Sequence, residues 1–204
     1  MPNIKTCIAL ITILLTLSLS AVQAFGLSSA VSRAYLEIKP GLICKLNLIV
    51  HPEKRIPKTG NWGTLLTAFV YTGTQKIASA QARSNDQGLA TFDFCAQNLT
   101  FAAGNYNIAI KGLSHLCRNF PGVYAFESDT QVVDLSLSNV LLLAGETSNV
   151  FDDKINSLDA STQIRYFYRT DDEKNDLNRD TKVNSLDFSN TVYNFYDLGD
   201  GLCK

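Results

Sequence analysis

The chain has 204 residues, with 18 lysines and arginines, 19 aspartates and glutamates, and a formal net charge of −1 at pH 7. It has no stripe of basic residues, which argues against nucleic acid as a partner. It contains two histidines, no Gly-x-Ser-x-Gly sequence and no phosphate-binding glycine loop, and so lacks the motifs of several common enzyme classes. We therefore expect a protein that is not an enzyme.

Residues 1–24 have the features of a secretory signal peptide. A basic residue precedes an apolar stretch over residues 7–19, and Val22 and Ala24 supply the small side chains that a signal peptidase reads. A membrane anchor is the alternative, but the apolar stretch is shorter than the roughly 20 residues of a spanning helix. We expect cleavage before Phe25, secretion, and no transmembrane segment in the processed chain.

Residues 25–143 are predicted to form an antiparallel β-sandwich. Short segments rich in β-branched and aromatic residues alternate with turn-forming residues. The predicted strands are 34–39, 43–50, 64–73, 75–82, 89–94, 105–111, 122–128 and 131–137. The cluster of turn residues at 84–88 predicts that 75–82 and 89–94 form a hairpin. Aromatic side chains in these strands are expected in the core rather than on a sugar-binding platform.

Four cysteines follow the signal peptide: Cys44, Cys95, Cys117 and Cys203. An even number in an exported chain permits two disulfides, with three possible pairings. A buried free thiol is the alternative for Cys95. The spacing does not resemble a zinc site, because no C-x-x-C is present. His115 is expected to be a structural hydrogen-bonding residue.

A second pattern lies within the sandwich region. The sequence NDQGLATFDF at 85–94 is followed by AAGNYNIAIKGLSHL at 102–116. Over residues 60–140 the chain thereby resembles the prealbumin-like β-sandwiches of the carboxypeptidase-regulatory type, with residues 103–106 in place of their Pro-Gly-x-Tyr turn. This resemblance implies a spacer or adhesion unit that does not catalyse a reaction.

A sequence repeat lies near the C-terminus. Residues 153–168 and 181–196 align at an offset of 28 residues with eight identical positions, including a shared Asn-Ser-Leu-Asp. A repeat of this length indicates one supersecondary unit used twice. Oxygen-bearing side chains followed by a helical apolar stripe are typical of a calcium loop that leads into a helix.

The second copy has the spacing of calcium ligands. With Asp176 as position 1, side-chain oxygens fall at positions 1, 3, 5, 9 and 12, which are Asp176, Asn178, Asp180, Asn184 and Asp187. A hard cation requires six or seven oxygens around one point. Lys182 at position 7 would contribute its backbone carbonyl, and Asn184 would bind directly or through a water. Thr181 stands at position 6, where a sharp turn favours glycine.

The first copy leaves two registers open. If Asn156 and Asp159 are positions 9 and 12, Asp152 falls at position 5, but Val150, which has no side-chain oxygen, falls at position 3. An insertion of two residues would instead place Glu146 at position 1. In both registers Asp152, Asn156 and Asp159 are candidate calcium ligands.

Helix capping is the alternative interpretation of these loops, because Asp and Asn also cap helix N-termini. Two copies in register favour calcium. The apolar helix positions are predicted to form the joint core of two facing helices: Leu158, Ile164, Phe167, Tyr168, Leu186, Val192, Phe195 and Tyr196. Because so small a module has little core, bound calcium is expected to supply part of its folding free energy.

The pattern Asp-x-Asn-x-Asp-x-x-Val-Asn-Ser-Leu-Asp before one amphipathic helix, in tandem over residues 145–198, resembles a type I dockerin. The resemblance implies that residues 144–204 form a small α-helical, EF-hand-like module with two calcium loops, which docks through its helices onto a cohesin on another protein. Where many dockerins carry a Lys/Arg pair, this chain has Val192 and Tyr193.

These patterns together predict a secreted, non-catalytic, calcium-binding protein. Its β-sandwich would be attached by the dockerin-like module to a cohesin-like protein or another cell-surface component. The alternative is a carbohydrate-binding sandwich with a calcium-stabilised C-terminal anchor. That alternative requires exposed aromatic side chains to bind a polysaccharide, and Trp62, which lies between Asn61 and Gly63, is the best candidate.

Overall fold

The computed structural model describes residues 42–53, 55, 61–138 and 140–203. The predicted signal peptide at 1–24 and the predicted strand at 34–39 lie outside these residues. None of the helices in the described part of the chain is both long enough and apolar enough to cross a membrane.

Within the described residues the chain forms nine strands followed by two α-helices. The strands are β1 (Leu42–Ile43), β2 (Lys45–Ile49), β3 (Leu65–Thr72), β4 (Gln75–Arg83), β5 (Leu89–Asp93), β6 (Phe101–Ala102), β7 (Gly104–Gly112), β8 (Arg118–Phe126) and β9 (Val132–Asp134). The helices are α1 (Ser157–Arg165) and α2 (Ser185–Tyr193), and short 3₁₀ helices span Cys95–Gln97 and Leu135–Ser138. This mostly β architecture with two C-terminal helices confirms the coarse features of the predicted fold.

Two sheets enclose the main core. One has the strand order β4-β3-β7-β8, the other has the order β5-β2-β9, and β1 pairs with β6. The pairing is antiparallel except between β2 and β9, which run parallel. Alternate residues of each strand point inward, as Leu46 and Leu48 of β2 show. Phe92 and Phe94 are fully buried, as expected for core aromatics.

The predicted hairpin of β4 and β5 is wrong. β4 pairs with β3, whereas β5 pairs with β2 in the other sheet, so the turn carries the chain across the sandwich. At its end Gly88 has φ +80°, and a Cβ there would lie 2.4 Å from the Val50 carbonyl oxygen. The turn residues predict a change of direction, but they do not specify which sheet receives the next strand.

Two disulfides join the four cysteines. Cys44 bonds to Cys95, and Cys117 bonds to Cys203, so Cys95 is not a free thiol. The second bridge brings the C-terminal segment onto the outer face of the four-stranded sheet. There Cys203 packs against a small buried cluster of Phe69, Tyr71, Ala109 and Cys117.

The chain passes from the sandwich into the repeat without a spacer. Leu142 forms a bridge with Pro52, Ala144 forms one with His115, and the Gly145 N–H donates to the Ser114 carbonyl at 2.9 Å. The described residues of the sandwich and of the repeat region consequently belong to one compact unit. The predicted boundary between residues 143 and 144 lies where these two sequence regions pack against each other.

The predicted joint core of the helices is wrong. Six of its members have 49–86% of their surface exposed, and we call them the exposed apolar set: Leu158, Ile164, Tyr168, Leu186, Val192 and Tyr196. Only Phe167 and Phe195 are half-buried. Instead the helices meet through polar side chains, with the Thr191 hydroxyl donating to Gln163 Oε1 at 2.7 Å.

The buried apolar residues of the repeat region come from its loops. Ile155, Leu177 and Val183 are fully buried. Each loop also pairs with the chain that leaves the other helix. The Tyr168 N–H donates to the Val183 carbonyl at 2.8 Å, and the Tyr196 N–H donates to the Ile155 carbonyl at 2.9 Å. The two copies of the repeat are therefore joined reciprocally.

Candidate metal centre

Each loop ends in a capping box at the start of its helix. The Asn184 side chain accepts from the Leu186 N–H at 2.7 Å, and Asp187 Oδ2 accepts from the Asn184 N–H at 2.9 Å. Asn156 and Asp159 form the same box before α1. Capping accounts for the last two candidate ligands of each loop. It does not account for the acidic residues at the start of the second loop.

Three carboxylates converge in the second loop. One oxygen from each of Asp176, Asp180 and Asp187 lies within 4.8 Å of the others. Asp176 and Asp187 are buried, whereas Asp180 is exposed. Burial raises the pKa of Asp176 and of Asp187, and each is raised further by a neighbouring carboxylate. Like charges this close repel one another, so a cation complements the cluster.

The two asparagines of the second loop contact this cluster through their amide nitrogens. Asn178 and Asn184 each donate to Asp180 Oδ2, at 3.2 and 3.1 Å. Burial acts to raise the pKa of Asp180, but these hydrogen bonds lower it. The Lys182 carbonyl accepts from Asn184 Nδ2 at 3.3 Å. The six residues predicted as ligands in this loop are therefore linked by hydrogen bonds, and three of them bring carboxylate oxygens close together.

Asp176 holds the sharp turn of the second loop. Its two oxygens accept from the N–H groups of Asp180 at 3.2 Å and of Thr181 at 2.9 Å. Thr181 has φ +78°, a left-handed conformation that costs a β-branched residue roughly 1–3 kcal/mol. The conformation that the sequence suggested for position 6 is present, and it depends on the Asp176 carboxylate.

Hydrogen bonds decide between the two registers of the first loop. Asp159 Oδ1 accepts from the Ser148 N–H at 2.8 Å, and Asp187 Oδ1 accepts from the Asn178 N–H at 3.1 Å. Ser148 and Asn178 are thirty residues apart rather than 28. The first loop thus contains two extra residues, and the register with Glu146 at position 1 is the one that forms.

The hydrogen bonds of Glu146 also match those of Asp176 at position 1 of the second loop. Its Oε1 accepts from the Asp153 N–H at 2.9 Å, just as Asp176 accepts from Thr181. Asp153 has φ +60° and stands 28 residues before Thr181. In both loops, therefore, the carboxylate at position 1 binds the N–H of a left-handed residue at the position that corresponds to position 6.

The acidic residues of the first loop do not converge. Asp152 accepts from the Asn156 side chain at 3.0 Å, whereas Asp159 is bound by backbone N–H groups. Across the part of the chain that the structure describes, three carboxylates approach one point only in the second loop. The predicted first-loop ligands Asp152, Asn156 and Asp159 thus lie in a hydrogen-bonded loop, but their carboxylates do not form a cluster.

Two lysines contact the first loop. Lys111 of β7 pairs with Glu146 and lies 3.1 Å from Asp153 Oδ1. Lys174 donates to the Ser148 carbonyl. Burial lowers the pKa of Lys174, while three neighbouring carboxylates, including that of Glu146, act to raise it. Sequence reasoning missed both lysines, because neither belongs to the repeated segment.

A buried arginine of the sandwich region holds the start of the second loop. Arg55 Nε donates to the Leu177 carbonyl at 3.0 Å. Burial lowers the pKa of Arg55 to about 9, with a further contribution from Arg179, so the guanidinium remains charged at neutral pH. Nearby, Arg83 forms a bidentate pair with Glu173 at 2.8 and 2.7 Å. The second loop is therefore supported by side chains far away in sequence.

The described aromatic residues of the sandwich do not form a sugar platform. Trp62 is 8% exposed, its indole N–H donates to the Arg55 carbonyl at 3.0 Å, and its ring stacks on His51 at 4.2 Å. The exposed large apolar residues among the described part of the sandwich are Leu42, Ile77, Leu99 and Val132, none of them aromatic.

Taken by fold, the chain is a mostly β protein that ends in two short loop–helix units. No protein-family model matches the sequence, and no curated protein is significantly similar to it.

Solved structures with a similar fold include two complexes. They are crystal structures of type II cohesin–X–dockerin complexes from Acetivibrio cellulolyticus, an N-terminal interface mutant and a C-terminal interface mutant. In each case the identity is 19%, and the match covers 76% of this chain and 97% of the other. The TM-scores are 0.53 and 0.52.

At 19% identity this similarity is one of fold.

Proposed function

We propose that the chain is a secreted, non-catalytic attachment protein whose second loop binds calcium and whose helices dock onto a protein of the cohesin type. The observation that carries this proposal is the convergence of Asp176 and Asp180 of the second loop with Asp187 in the first turn of α2. Together with the Lys182 carbonyl, these residues would hold the ion, which when bound supplies the positive charge that the cluster lacks.

The exposed apolar set supports docking through the helices. Its members recur at equivalent positions of the two copies: Leu158 with Leu186, Ile164 with Val192, and Tyr168 with Tyr196. Tyr193 adds a side chain that is 73% exposed. Apolar side chains exposed in this number commonly mark an interaction surface. The occupant that we favour is a cohesin-like protein, because the structures with a similar fold are complexes of cohesin with X-dockerin.

The test is binding of the full chain to an immobilised type II cohesin in calcium and in EDTA. We expect binding in calcium, and at least a tenfold loss in EDTA or on Asp187→Asn. Tyr168→Ser combined with Tyr196→Ser should weaken binding without changing calcium uptake. Ile77→Ser, on an exposed residue of β4, is the matched control. Equal binding in calcium and in EDTA would contradict the proposal, and retention on polysaccharide or on cells alone would identify a different partner.

A further inference from the structure

The first loop contacts an ammonium group through three of its residues. Lys174 Nζ donates to the Ser148 carbonyl and lies 3.5 Å from Asn149 Oδ1. It also stands over the Phe151 ring, 4.5 Å from the ring centroid, a distance at which a cation is attracted to the aromatic face. A backbone carbonyl, an amide oxygen and a ring face thus converge on one charged nitrogen.

The residues that make these contacts come from the part of the first loop that differs from the second. Asn149 and Phe151 lie between Ser148 and Asp152, the stretch that contains the two extra residues. The longer path brings an amide oxygen and a ring face to Lys174. Two of the residues that contact the lysine therefore lie in the stretch that contains the insertion.

A second ammonium group compensates the acid at position 1. Lys111 Nζ bridges Glu146 and Asp153, with 3.1 Å to Asp153 Oδ1. Glu146 is 1% exposed, and a buried carboxylate of this kind requires a close partner of opposite charge. In the second loop, by contrast, no ammonium or guanidinium group of the described residues donates to Asp176, Asp180 or Asp187.

We propose that the ammonium groups of Lys174 and Lys111 close the first loop in place of a metal ion, so that the chain takes up one calcium ion, at the second loop. The position of that ion rests on the proposed function. The closure of the first loop by lysine does not. The donor set of the first loop does not fit a second calcium, because its position-1 carboxylate is already paired with Lys111 and the Ser148 carbonyl oxygen already binds Lys174.

The first experiment counts ions by calorimetric titration and native mass spectrometry of the full chain. We expect one calcium per wild-type chain, one for Asp159→Asn and none for Asp187→Asn. Two ions in the wild type, or loss of the ion in Asp159→Asn with retention in Asp187→Asn, would overturn the inference. No ion in the wild type would overturn the proposed function instead, and the second experiment would still decide how the first loop is closed.

The second experiment measures melting temperature in EDTA, where no calcium contributes. Lys174→Met should lower it by roughly 4 °C or more, since the charge-assisted contacts are lost. Lys111→Met is an independent second variant with the same expected direction. Lys154→Met is the matched control, because Lys154 is an exposed lysine of the same loop. If Lys174→Met and Lys154→Met melt alike, the ammonium does not close the loop.

Discussion

In the second loop the Asp187 carboxylate meets two requirements. It caps α2 through the Asn184 N–H and it fixes the start of the loop through the Asn178 N–H, at 2.9 and 3.1 Å. Asp176 makes two comparable bonds, but to residues inside the turn. Loss of Asp187 therefore frees both ends of the loop, whereas loss of Asp176 frees only its middle.

We expect Asp187→Ala to lower the free energy of unfolding by about 3 kcal/mol and Asp176→Ala by about 1–2 kcal/mol, because each leaves part-buried N–H groups without acceptors. Urea denaturation in calcium measures both. Asp171→Ala, on an exposed acid of the same acidic segment, should change little. Equal losses for Asp187→Ala and Asp176→Ala would contradict the assignment of position 12.

His115 is a buried histidine whose charge is suppressed. It is fully buried, and neither ring nitrogen has a hydrogen-bond partner among the described residues, so the expectation of a hydrogen-bonding histidine was wrong. Burial lowers its pKa well below 6.5, with smaller contributions from Arg55, Arg179 and Lys111. The imidazole is neutral in the folded chain at neutral pH.

This histidine should make the fold sensitive to acid. A lowered folded-state pKa contributes stability that is complete above the unfolded value of about 6.5 and is lost as pH falls. Between pH 7 and 5 the wild type should lose about 2 kcal/mol more than His115→Phe, measured by denaturation in EDTA. The same loss in both proteins would show that His115 is not responsible. His51→Gln serves as the control, because burial lowers the pKa of His51 less strongly.

Among the elements, the C-terminal segment depends on its disulfide. Besides the bridge to Cys117, Asp200 accepts from the Asn119 N–H at 2.6 Å, and the Ile155 N–H donates to the Asp197 carbonyl at 3.0 Å. The segment therefore joins β8 to the first loop. Leu198 and Leu202 are exposed, so hydrogen bonds and the covalent bond, rather than apolar burial, hold this segment in place.

Replacing Cys117 and Cys203 together by serine should lower the free energy of unfolding by about 3–5 kcal/mol, since 86 residues separate the pair. The measurement is urea denaturation under non-reducing conditions. The comparison is the double serine variant of Cys44 and Cys95. The disulfide that it removes closes a shorter loop, which lies within the sandwich. An unchanged midpoint for the Cys117/Cys203 variant would mean that the segment stays in place without the bond.

How far the sequence predicts these elements depends on the range of the interactions. Strand positions such as β3 and β7 follow from local composition and neighbouring turn residues, and the calcium-type spacing of Asp176 to Asp187 is visible in one stretch of chain. The partner of β5, the exposure of Leu158 and Leu186, and the role of Lys174 depend on contacts between distant segments. Local patterns do not encode such contacts, so the hairpin and the helix core were predicted incorrectly.

At the scale of the whole molecule, the sandwich and the repeat region share buried polar contacts. Asn194 Nδ2 donates to the Ala144 carbonyl at 2.8 Å and to Glu53, and Arg55 donates to the Leu177 carbonyl. Groups buried in this way lose their partners if one region opens alone. The two regions are therefore expected to unfold together.

We expect one heat-capacity peak for the chain, which shifts as a whole to higher temperature in calcium, by an amount equivalent to about 2.7 kcal/mol when calcium is one hundred times its dissociation constant. Arg55→Met removes the hydrogen bond to the second loop. We expect it to split this peak, or to reduce the calcium-induced shift in the temperature at which the sandwich unfolds. Two peaks in the wild type, only one of them sensitive to calcium, would contradict the coupling.

The arrangement of the two disulfides also determines how the chain bears tension. Each disulfide, Cys44–Cys95 and Cys117–Cys203, provides a covalent path that bypasses a long stretch of backbone. A force applied between the two ends of the described chain would be transmitted through the two disulfides and through residues 95–117. Both helices lie within the loop that the second disulfide closes, so that loop would not be stretched. The helices would then feel mechanical load only when a bound partner pulls on them directly.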